Sequence, residues 1–364
     1  MNRRLGISIY PEHSTVERDK AYIKRAAECG FERVFTCLLS AQKPIDVIRE
    51  EFSETIGFAR NLEMDVILDI APAVFSGLGI SYDDLSFFAE LGASGIRLDL
   101  GFDGLRESQF TYNQYDLDIE INMSNNTNYV NNIFSHNPKE TKLLGCHNFY
   151  PQRFTGLDFD FFIACSQRFK ELGLRTAAFV SSDAATIGPW DINDGLCTLE
   201  EHRELPITTQ AKHLWATNLI DDVIIGNAYA SDDELAALGA LNRYVLEFEV
   251  EVEAGVSAVE RTIMFDEPHI RRGDISSYMI RSTPSRTKYK AEQFPVRPVE
   301  SHTCGDVMIG NDNFGKYKGE LQLILKTMPI DERKNLVARV VDYERFLIPY
   351  IGAWNTLAFK EKTK

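Results

Sequence analysis

The sequence predicts an α/β protein in which a (β/α)8 TIM barrel precedes a smaller, mostly β domain. A helix, a glycine stop and a short apolar strand recur through roughly the first 240 residues, which is the usual length of such a barrel. After residue 243 the pattern changes to short alternating segments, which are typical of antiparallel strands. We therefore place the barrel at residues 1–243 and the smaller β domain at residues 244–364.

The repeating unit is clearest around the first helix. Ser14-x-x-Glu17 has the spacing of a capping box, and Gly30 supplies the left-handed residue that ends a helix. Pro44 suits the first turn of a second helix over residues 44–62. The eight predicted strands are about residues 5–10, 33–37, 65–70, 95–99, 118–122, 143–148, 175–181 and 222–227. A doubly wound sheet is the alternative, disfavoured because no Gly-x-Gly-x-x-Gly follows the first strand.

The β domain begins with the strict alternation of Leu246–Glu253, a pattern that predicts a half-exposed antiparallel strand. Further strands are predicted near residues 259–265, 275–281, 306–310, 319–325 and 335–341, with one helical stretch near 343–350. The row of glutamates on the first strand is interpreted as a solvated face.

Composition excludes several classes of partner. The formal charge of −15 and a pI of about 5.0 leave no basic excess to neutralise nucleic acid or an anionic membrane. The sequence contains neither a signal-peptide pattern nor a run of about 18 apolar residues, so we expect a cytoplasmic protein. Its six cysteines form no Cys-x-x-Cys pair and are predicted to be buried free thiols.

Strand alternation predicts which polar side chains point into the barrel. On the first strand Ile7 and Ile9 face the helices, which leaves Tyr10 inside and Glu12 just beyond the strand. Active sites of such barrels lie at the carboxyl ends of the strands. The same count over the other strands predicts these further inward residues there: Asp69, Arg97, Asp99, Glu120, Asn122, His147, Asn148, Ser181, Asp183 and Asn227.

Structural roles stay open for several of these residues. Arg97 could serve only to neutralise Asp99 or Glu120, and His147 could position a neighbour instead of transferring a proton. Asp69 could cap the turn that follows its strand. The prediction therefore depends on the whole set of residues.

The stretch Gly145–Gly156 concentrates polar chemistry where the sixth strand ends. It contains His147, Asn148 and Arg153, and Pro151 stops the strand because proline cannot donate to a ladder. Aromatic residues that could offer a ring face to a ligand near the mouth are Tyr10, Phe149, Tyr150, Phe154 and Trp190.

Three chemistries compete for a mouth of this composition. A metal enzyme would need clustered ligands, yet the seven histidines form neither His-x-His nor His-Glu-x-x-His. Schiff-base chemistry would need a lysine at a strand end, and the barrel sequence offers none. Glycoside hydrolysis needs two carboxyl groups, or one together with a substrate acetamido group, and candidates are ample. We therefore expect neither a metal nor another cofactor.

Long motifs in this sequence resemble a group of bacterial proteins once classed as a domain of unknown function and often labelled "outer surface protein". The motifs are Gly6–Glu12, Arg97–Gly101, His147–Leu157, Gly188–Arg203, Arg272–Ser282 and Gly305–Leu321, so the resemblance spans essentially the whole chain. Members of this group are similar to the 6-phospho-N-acetylmuramidases, glycoside hydrolase family 170.

The resemblance implies a TIM barrel with a cyclophilin-like β domain, and a role in recycling cell-wall amino sugars. It also implies cleavage of the β-1,4 bond of 6-phospho-N-acetylmuramyl-N-acetylglucosamine, a disaccharide that a phosphotransferase system imports and phosphorylates. Such a substrate is cytoplasmic, which agrees with the absent signal pattern and not with the "surface" label. The alternatives are a sugar-phosphate isomerase or epimerase, and a peptide-binding or prolyl-isomerase role for the β domain.

The catalytic prediction rests on the inward-facing residues, because the resemblance does not assign the roles. We favour Asp99 and Glu120 as the acid and its partner, followed by Glu12 and Asp183. Arg153 is the first candidate for the phosphate, because planar guanidinium groups suit phosphate oxygens. The β-domain arginines Arg271, Arg272, Arg281 and Arg286 follow it. The remaining predicted substrate-binding residues are Tyr10, Asp69, Arg97, Asn122, His147, Asn148 and Asn227.

Overall fold

The computed structural model describes residues 2–38, 45–70, 80–81 and 83–362. The chain forms two compact units, Met1–Leu241 and Asn242–Lys364. No helix within the described ranges is long and apolar enough to cross a membrane. The six cysteines are free thiols, as predicted, although Cys29 and Cys304 are only partly buried.

The first unit contains a closed barrel of eight parallel strands, each bonded to the next and the eighth bonded to the first. This confirms the predicted TIM barrel. The strands are β1 (Arg4–Ile9), β2 (Arg33–Leu38), β3 (Asp65–Ile70), β4 (Gly95–Leu98), β5 (Asp118–Asn122), β6 (Leu143–Cys146), β7 (Arg175–Val180) and β8 (Asp222–Ile225).

Helices alternate with these strands. They are α1 (Val16–Glu28), α2 (Ile45–Asn61), α3 (Ser86–Glu90), α4 (Leu105–Phe110), α5 (Tyr129–Phe134), α6 (Phe159–Glu171), α7 (Ile207–Ala216) and α8 (Asp232–Gly239). Short 3-10 helices cover Pro11–His13, Glu140–Lys142 and Glu200–His202. The predicted helix start at Pro44 lies outside the described residues.

Strand alternation separates two cores. Ile7 and Ile9 of β1 pack in the large cluster between the barrel and its helices. Phe35, Phe179 and Ile224 belong to a second cluster, which fills the barrel interior. The period of two that sequence reading used to choose inward residues is therefore the period that the barrel follows.

Buried charges occupy the amino-terminal half of the interior. Arg33, the first residue of β2, is 1% exposed and donates to Glu120 and, over 3.0 Å, to Asp222. Arg4 and Arg175 also contact Asp222, at 2.8 and 3.2 Å. Burial alone would raise the pKa of Asp222, but the hydrogen bond from Arg4 and the surrounding guanidinium charges lower it. These arginines therefore stabilise the buried carboxylates.

The second unit is built on a seven-stranded mixed sheet in the order β10-β15-β9-β14-β12-β13-β11, in which only the β9–β15 pair is parallel. Its strands are β9 (Leu246–Val252), β10 (His269–Ile270), β11 (Met279–Ser282), β12 (Asp306–Gly310), β13 (Leu321–Ile324), β14 (Lys334–Val340) and β15 (Thr356–Glu361). Its helices are α9 (Ala258–Phe265) and α10 (Pro284–Lys288), with 3-10 helices at Asp312–Tyr317 and Asp342–Tyr350. A cyclophilin-like topology stays a prediction.

The strand predicted near residues 259–265 is wrong, because that segment is helix α9. The Ser257 hydroxyl accepts a hydrogen bond from the backbone N–H of Glu260, and the Glu260 carboxylate accepts one from the backbone N–H of Ser257. This capping box was readable in the sequence and outweighs the β-forming residues that follow it.

Replacing Arg33 with Met is expected to destabilise the barrel by about 3–5 kcal/mol, because Glu120 then stays buried without its donor. Chemical denaturation followed by circular dichroism measures this loss. A second change, Glu120→Leu, should restore most of the stability, since an apolar pair needs no compensating charge. Arg49→Met removes an exposed pair with Glu90 and serves as the control that should change little. An Arg33→Met variant as stable as the wild type would contradict the assigned role.

Candidate active site

A cavity of about 300 Å3 opens at the carboxyl ends of the barrel strands. This is the end at which barrels of this kind hold their ligands. The residues that line it are Phe35, Cys37, Asp69, Arg97, Asp99, Leu100, Asn148, Phe149, Phe179, Pro189 and Trp190. Polar groups therefore meet an apolar wall, which is the usual composition of a small-molecule site.

Arg97 organises the polar side of this cavity. Its side chain projects inward from β4, is 4% exposed and donates to the Asn148 side-chain oxygen. Its Nη1 atom lies 3.0 Å from Asp99 Oδ1 and 3.5 Å from Asp69 Oδ2. On the opposite side, Arg97 Nε lies 4.0 Å from Glu120 Oε1. One guanidinium group thus contacts two aspartates and one asparagine of the cavity and faces a third carboxylate, Glu120, beneath them.

The two aspartates of the cavity differ in their surroundings. Burial raises the pKa of Asp69 from 3.8 to about 6; Arg97 opposes the shift, and the charges of Asp99 and Glu120 add to it. Asp99 is 47% exposed and accepts hydrogen bonds from Arg97 and, at 3.3 Å, from Asn122. A carboxyl group whose pKa is raised to about 6 therefore lies beside a second, more exposed carboxyl group, an arrangement suited to acid–base chemistry.

Aromatic rings form the apolar wall. Phe149 meets Phe179 edge-on with 5.0 Å between ring centroids, and Phe35 meets Phe179 in the same way at 5.3 Å. The ring centroids of Trp190 and Phe149 lie 6.1 Å apart, and Trp190 is 53% exposed. Packing of its neighbours fixes the indole while one face stays open, so Trp190 could stack on a sugar ring.

The wall also contains residues that were not predicted from the sequence. Phe35 and Cys37 lie on β2 and Phe179 on β7, and all three are buried and point inward. Counting alternate residues from Arg33 reaches Phe35 and Cys37, so the signal was present. The prediction omitted them because it searched only for polar side chains.

Glu120 was predicted to be half of the catalytic pair, and the structure corrects this. It is fully buried on β5 beneath the cavity and accepts from Arg33. Its Oε1 atom, which faces Arg97, has no hydrogen-bond partner among the described residues. Alternation reveals that a side chain points inward but not how deep it lies. Glu120 therefore acts on the cavity through its charge and not through contact.

His147 was predicted to face the mouth, but it faces the helices. Its ring nitrogens lie 3.1 Å from Ser124 Oγ and 2.9 Å from Ser166 Oγ, and its ring is 4.7 Å from that of Phe162. Burial, followed by the charge of Arg97, lowers the pKa of His147 to about 3. Adjacent residues of an extended chain point to opposite sides, so with Asn148 directed inward His147 must point outward.

Two further predicted binding residues have structural roles. Asn227 is buried and holds the loop after β7. Its side-chain oxygen accepts from the Ser182 backbone N–H, and its side-chain nitrogen donates to the backbone carbonyls of Ser182 and Ala185. Tyr10 is buried and donates its hydroxyl to the Gly226 carbonyl. These bonds keep both side chains from contacting a ligand.

Glu12 and Asp183 are both exposed, and neither belongs to the cavity wall of the described chain. Glu12 is nonetheless close, because burial and then the charges of Asp69 and Glu12 raise the pKa of the Cys37 thiol. Asp183 follows β7, and its backbone N–H donates to Glu234. Neither position supports a catalytic role as directly as the positions of Asp69 and Asp99.

Most of the arginines predicted to bind phosphate are paired with carboxylates, whereas Arg271 is buried and donates to the backbone carbonyls of Ile351 and Ser276. Arg153 is 53% exposed, lies 2.7 Å from Glu204 and does not line the cavity, so the geometry gives no support to its predicted contact. In the second unit Arg272 pairs with Asp274 at 2.6 Å, and Arg281 pairs with Glu320 at 2.7 Å.

One group of potential metal ligands occurs in the described part of the chain: Glu201, His202 and His213. His202 Nε2 lies 2.9 Å from His213 Nδ1, which is a hydrogen-bond distance. Burial lowers the pKa of both rings, that of His213 to about 4. The nitrogens that would coordinate a metal are therefore engaged with each other, and we interpret this group as a buried pair of neutral imidazoles.

Comparison with known proteins identifies the chain. A family model described as the N-terminal part of 6-phospho-N-acetylmuramidase matches residues 5–240, and one described as its C-terminal part matches residues 246–360. The chain belongs to the 6-phospho-N-acetylmuramidase family. It is therefore a glycoside hydrolase, as the resemblance of its motifs implied.

Two solved structures are similar over nearly the whole chain. An uncharacterized protein from B. cereus shares 59% identity, with a TM-score of 0.94 and coverage of 99% of this chain and 100% of the other. A conserved protein of unknown function from Enterococcus faecalis shares 29% identity, with a TM-score of 0.75 and coverage of 99% and 96%. No curated protein matches the chain.

The raised pKa of Asp69 predicts a pH-dependent effect on stability. The folded state holds the Asp69 proton up to about pH 6, whereas the unfolded chain releases it near pH 3.8, so stability is lost as pH rises between these values. Asp69→Asn removes this loss. At pH values above 6 the variant should therefore have a higher thermal midpoint than the wild type, and this gain should shrink as the pH falls to 4.

Thermal unfolding at pH 4.5 and pH 7.5 measures this effect. Glu50→Gln, which removes one exposed charge from α2, is the control for the change in net charge. Equal shifts at both pH values for Asp69→Asn, or a lower midpoint at pH 7.5, would contradict the raised pKa.

Proposed function

We propose that this enzyme hydrolyses the β-1,4 bond of 6-phospho-N-acetylmuramyl-N-acetylglucosamine in the barrel cavity, with Asp69 as general acid and Asp99 as its carboxylate partner. The carrying observation is that both aspartates contact the same atom, Arg97 Nη1, and that burial raises the pKa of Asp69 to about 6. Two carboxyl groups in unlike environments on one cavity wall are what glycoside hydrolysis requires. The family name supports the phosphorylated muramyl sugar as substrate.

The first step breaks the glycosidic bond. Protonated Asp69 transfers its proton to the glycosidic oxygen, and N-acetylglucosamine leaves as the neutral alcohol. Asp99 either attacks the anomeric carbon or orients the substrate's own acetamido oxygen for that attack. Water then attacks the anomeric carbon, breaks its bond to Asp99 or to the acetamido oxygen, and gives up a proton to Asp69. Asn148, held by Arg97, is placed to bond a sugar hydroxyl.

The geometry favours retention of the anomeric configuration. Asp69 Oδ2 and Asp99 Oδ1 lie 3.5 and 3.0 Å from one nitrogen, so these two oxygens can be no farther apart than the sum of those distances. Retaining enzymes hold their carboxyl groups about 5–5.5 Å apart, whereas inverting enzymes need about 6.5–9.5 Å to admit a water molecule.

The activity is tested with the purified chain and 6-phospho-N-acetylmuramyl-N-acetylglucosamine, with and without its phosphate, and with products read by mass spectrometry. Release of N-acetylglucosamine from the phosphorylated disaccharide, unchanged by EDTA, is expected. Cleavage of neither form would overturn the proposal. A product of unchanged mass with altered chromatographic mobility would instead indicate isomerase or epimerase chemistry.

The separate roles of the aspartates predict different responses to the leaving group. Asp69→Asn should slow hydrolysis of the disaccharide by about 100-fold or more. It should have little effect on hydrolysis of the matching 4-nitrophenyl glycoside, because that leaving group needs no proton. Asp99→Asn should slow both substrates, because it acts at the anomeric carbon. Steady-state rates of the two variants on the two substrates measure this difference.

Asp183→Asn is the matched control for this experiment, because Asp183 is an exposed aspartate outside the cavity wall. It should behave as the wild type on both substrates. Equal losses on the two substrates for Asp69→Asn would exclude it as the acid, and a full wild-type rate for Asp99→Asn would exclude its proposed role.

A further inference from the structure

The 3-10 helix Asp312–Tyr317 of the second unit carries two aromatic rings surrounded by cations. The rings of Phe314 and Tyr317 lie 5.4 Å apart. The cations, with their distances to a ring centroid, are Arg281 (5.5 Å), Arg286 (5.4 Å) and Lys316 (5.2 Å) at Tyr317, and Arg333 (5.0 Å) and Lys334 (5.7 Å) at Phe314. We call these five cations and two rings the cationic cluster.

The cationic cluster holds more positive than negative charge. Glu320 accepts from two guanidinium groups, since it lies 2.7 Å from Arg281 Nε and 2.8 Å from Arg286 Nη1. Asp331 is likewise shared, at 2.7 Å from Arg333 and 3.7 Å from Lys334. Two carboxylates thus face four of the cations.

Other acidic groups near the cluster do not remove this excess. Asp274, whose charge also acts on Arg281, is paired with Arg272 at 2.6 Å, and Asp312 lies 3.4 Å from Lys318. Lys316 has no carboxylate within ion-pair distance in the described part of the chain. A local excess of positive charge is unexpected in a chain with a formal charge of −15, so we looked for a function that it could serve.

Glu320 fixes the arginines in place. Its carboxylate is fully buried and also accepts from the Gln322 amide at 3.0 Å, so it is held from both sides. Arg281 binds it through Nε and Nη2, and Arg286 through Nη1. The guanidinium groups are therefore oriented before any ligand arrives, which lowers the entropy cost of binding.

Donors remain available on the exposed side of this arrangement. Arg281 Nη1, and Nε and Nη2 of Arg286, have no acceptor among the described residues, and the two side chains are 25% and 27% exposed. The Lys316 ammonium lies over the same Tyr317 ring. Fixed guanidinium donors next to an ammonium group match the charge and the several oxygens of a phosphate dianion better than they match a single carboxylate.

We propose that Arg281, Arg286 and Lys316 form a phosphate-monoester site beside Tyr317 in the second unit. A free phosphate ion and the phosphate of a sugar share this chemistry. The inference does not rest on the proposed hydrolysis, because it concerns equilibrium binding by the second unit alone.

Isothermal titration of the full chain, in a low-salt buffer without competing anions, tests the site. The probes are inorganic phosphate, N-acetylglucosamine 6-phosphate and N-acetylglucosamine. Both phosphates should bind, and the unphosphorylated sugar should not. Added salt should weaken binding, because the interaction is electrostatic and accessible to solvent. Tighter binding of the sugar phosphate than of free phosphate would identify a sugar phosphate as the natural ligand.

Variants assign the site to these residues. Arg286→Gln and Lys316→Gln should each weaken phosphate binding by about tenfold, the size expected for one charge-assisted hydrogen bond. Lys316→Gln breaks no ion pair, so it should fold normally even if Arg286→Gln does not. Arg261→Gln is the matched control, because Arg261 is an arginine of the same unit that pairs one-to-one with Glu361.

Wild-type protein that binds neither phosphate would overturn the inference, and so would a Lys316→Gln variant that binds both as tightly as the wild type. Loss of hydrolysis with phosphate binding intact would count against the proposed function alone.

Discussion

The barrel depends on a column of buried charges that alternate in sign from its amino-terminal end to its mouth. Asp222 contacts Arg33, Arg33 donates to Glu120, and Glu120 faces Arg97. Arg97 then ends the column at the two cavity aspartates. Inside a closed barrel an unpaired charge costs several kcal/mol, so each member stays ionised only while its neighbours are present. The cavity is the upper end of a structure that begins at the opposite end of the barrel.

This column explains why two aspartates on one arginine behave differently. Asp69 is partly buried, with 20% of its side chain exposed, and is repelled by Asp99 and Glu120, and Arg97 only partly offsets the rise in its pKa. Asp99 is half-exposed, so water stabilises its charge as well as Arg97 does. The carboxylate beneath the cavity therefore matters to the chemistry without touching a substrate, since its charge contributes to the raised pKa of Asp69.

Periodicity made the barrel and much of its mouth predictable, and its limits explain the errors. A period of two placed Asp69 and Arg97 on the inner face because their strands are regular. It predicted that Glu120 points inward but not how far below the mouth it lies. That depth depends on the stagger of the barrel strands and not on local sequence. His147 was misplaced because the strand was extended past Cys146 and two adjacent residues were both directed inward. The roles of Asp69 and Asp99 could not be separated, because burial and neighbouring charges exist only in the folded chain.

The distribution of charge has a further consequence for a phosphorylated substrate. A second arginine beside Asp69, of the kind that a phosphate would favour, would lower the pKa of that carboxyl and so disfavour its protonated form. The described cavity instead has one arginine facing two aspartates, with Glu120 beneath, so it is a poor site for a dianion. The cationic cluster has the opposite balance, because two arginines share a single buried glutamate and Lys316 adds a further positive charge over the Tyr317 ring. Proton transfer and phosphate binding make incompatible electrostatic demands, and under the proposed roles they fall to different sets of residues.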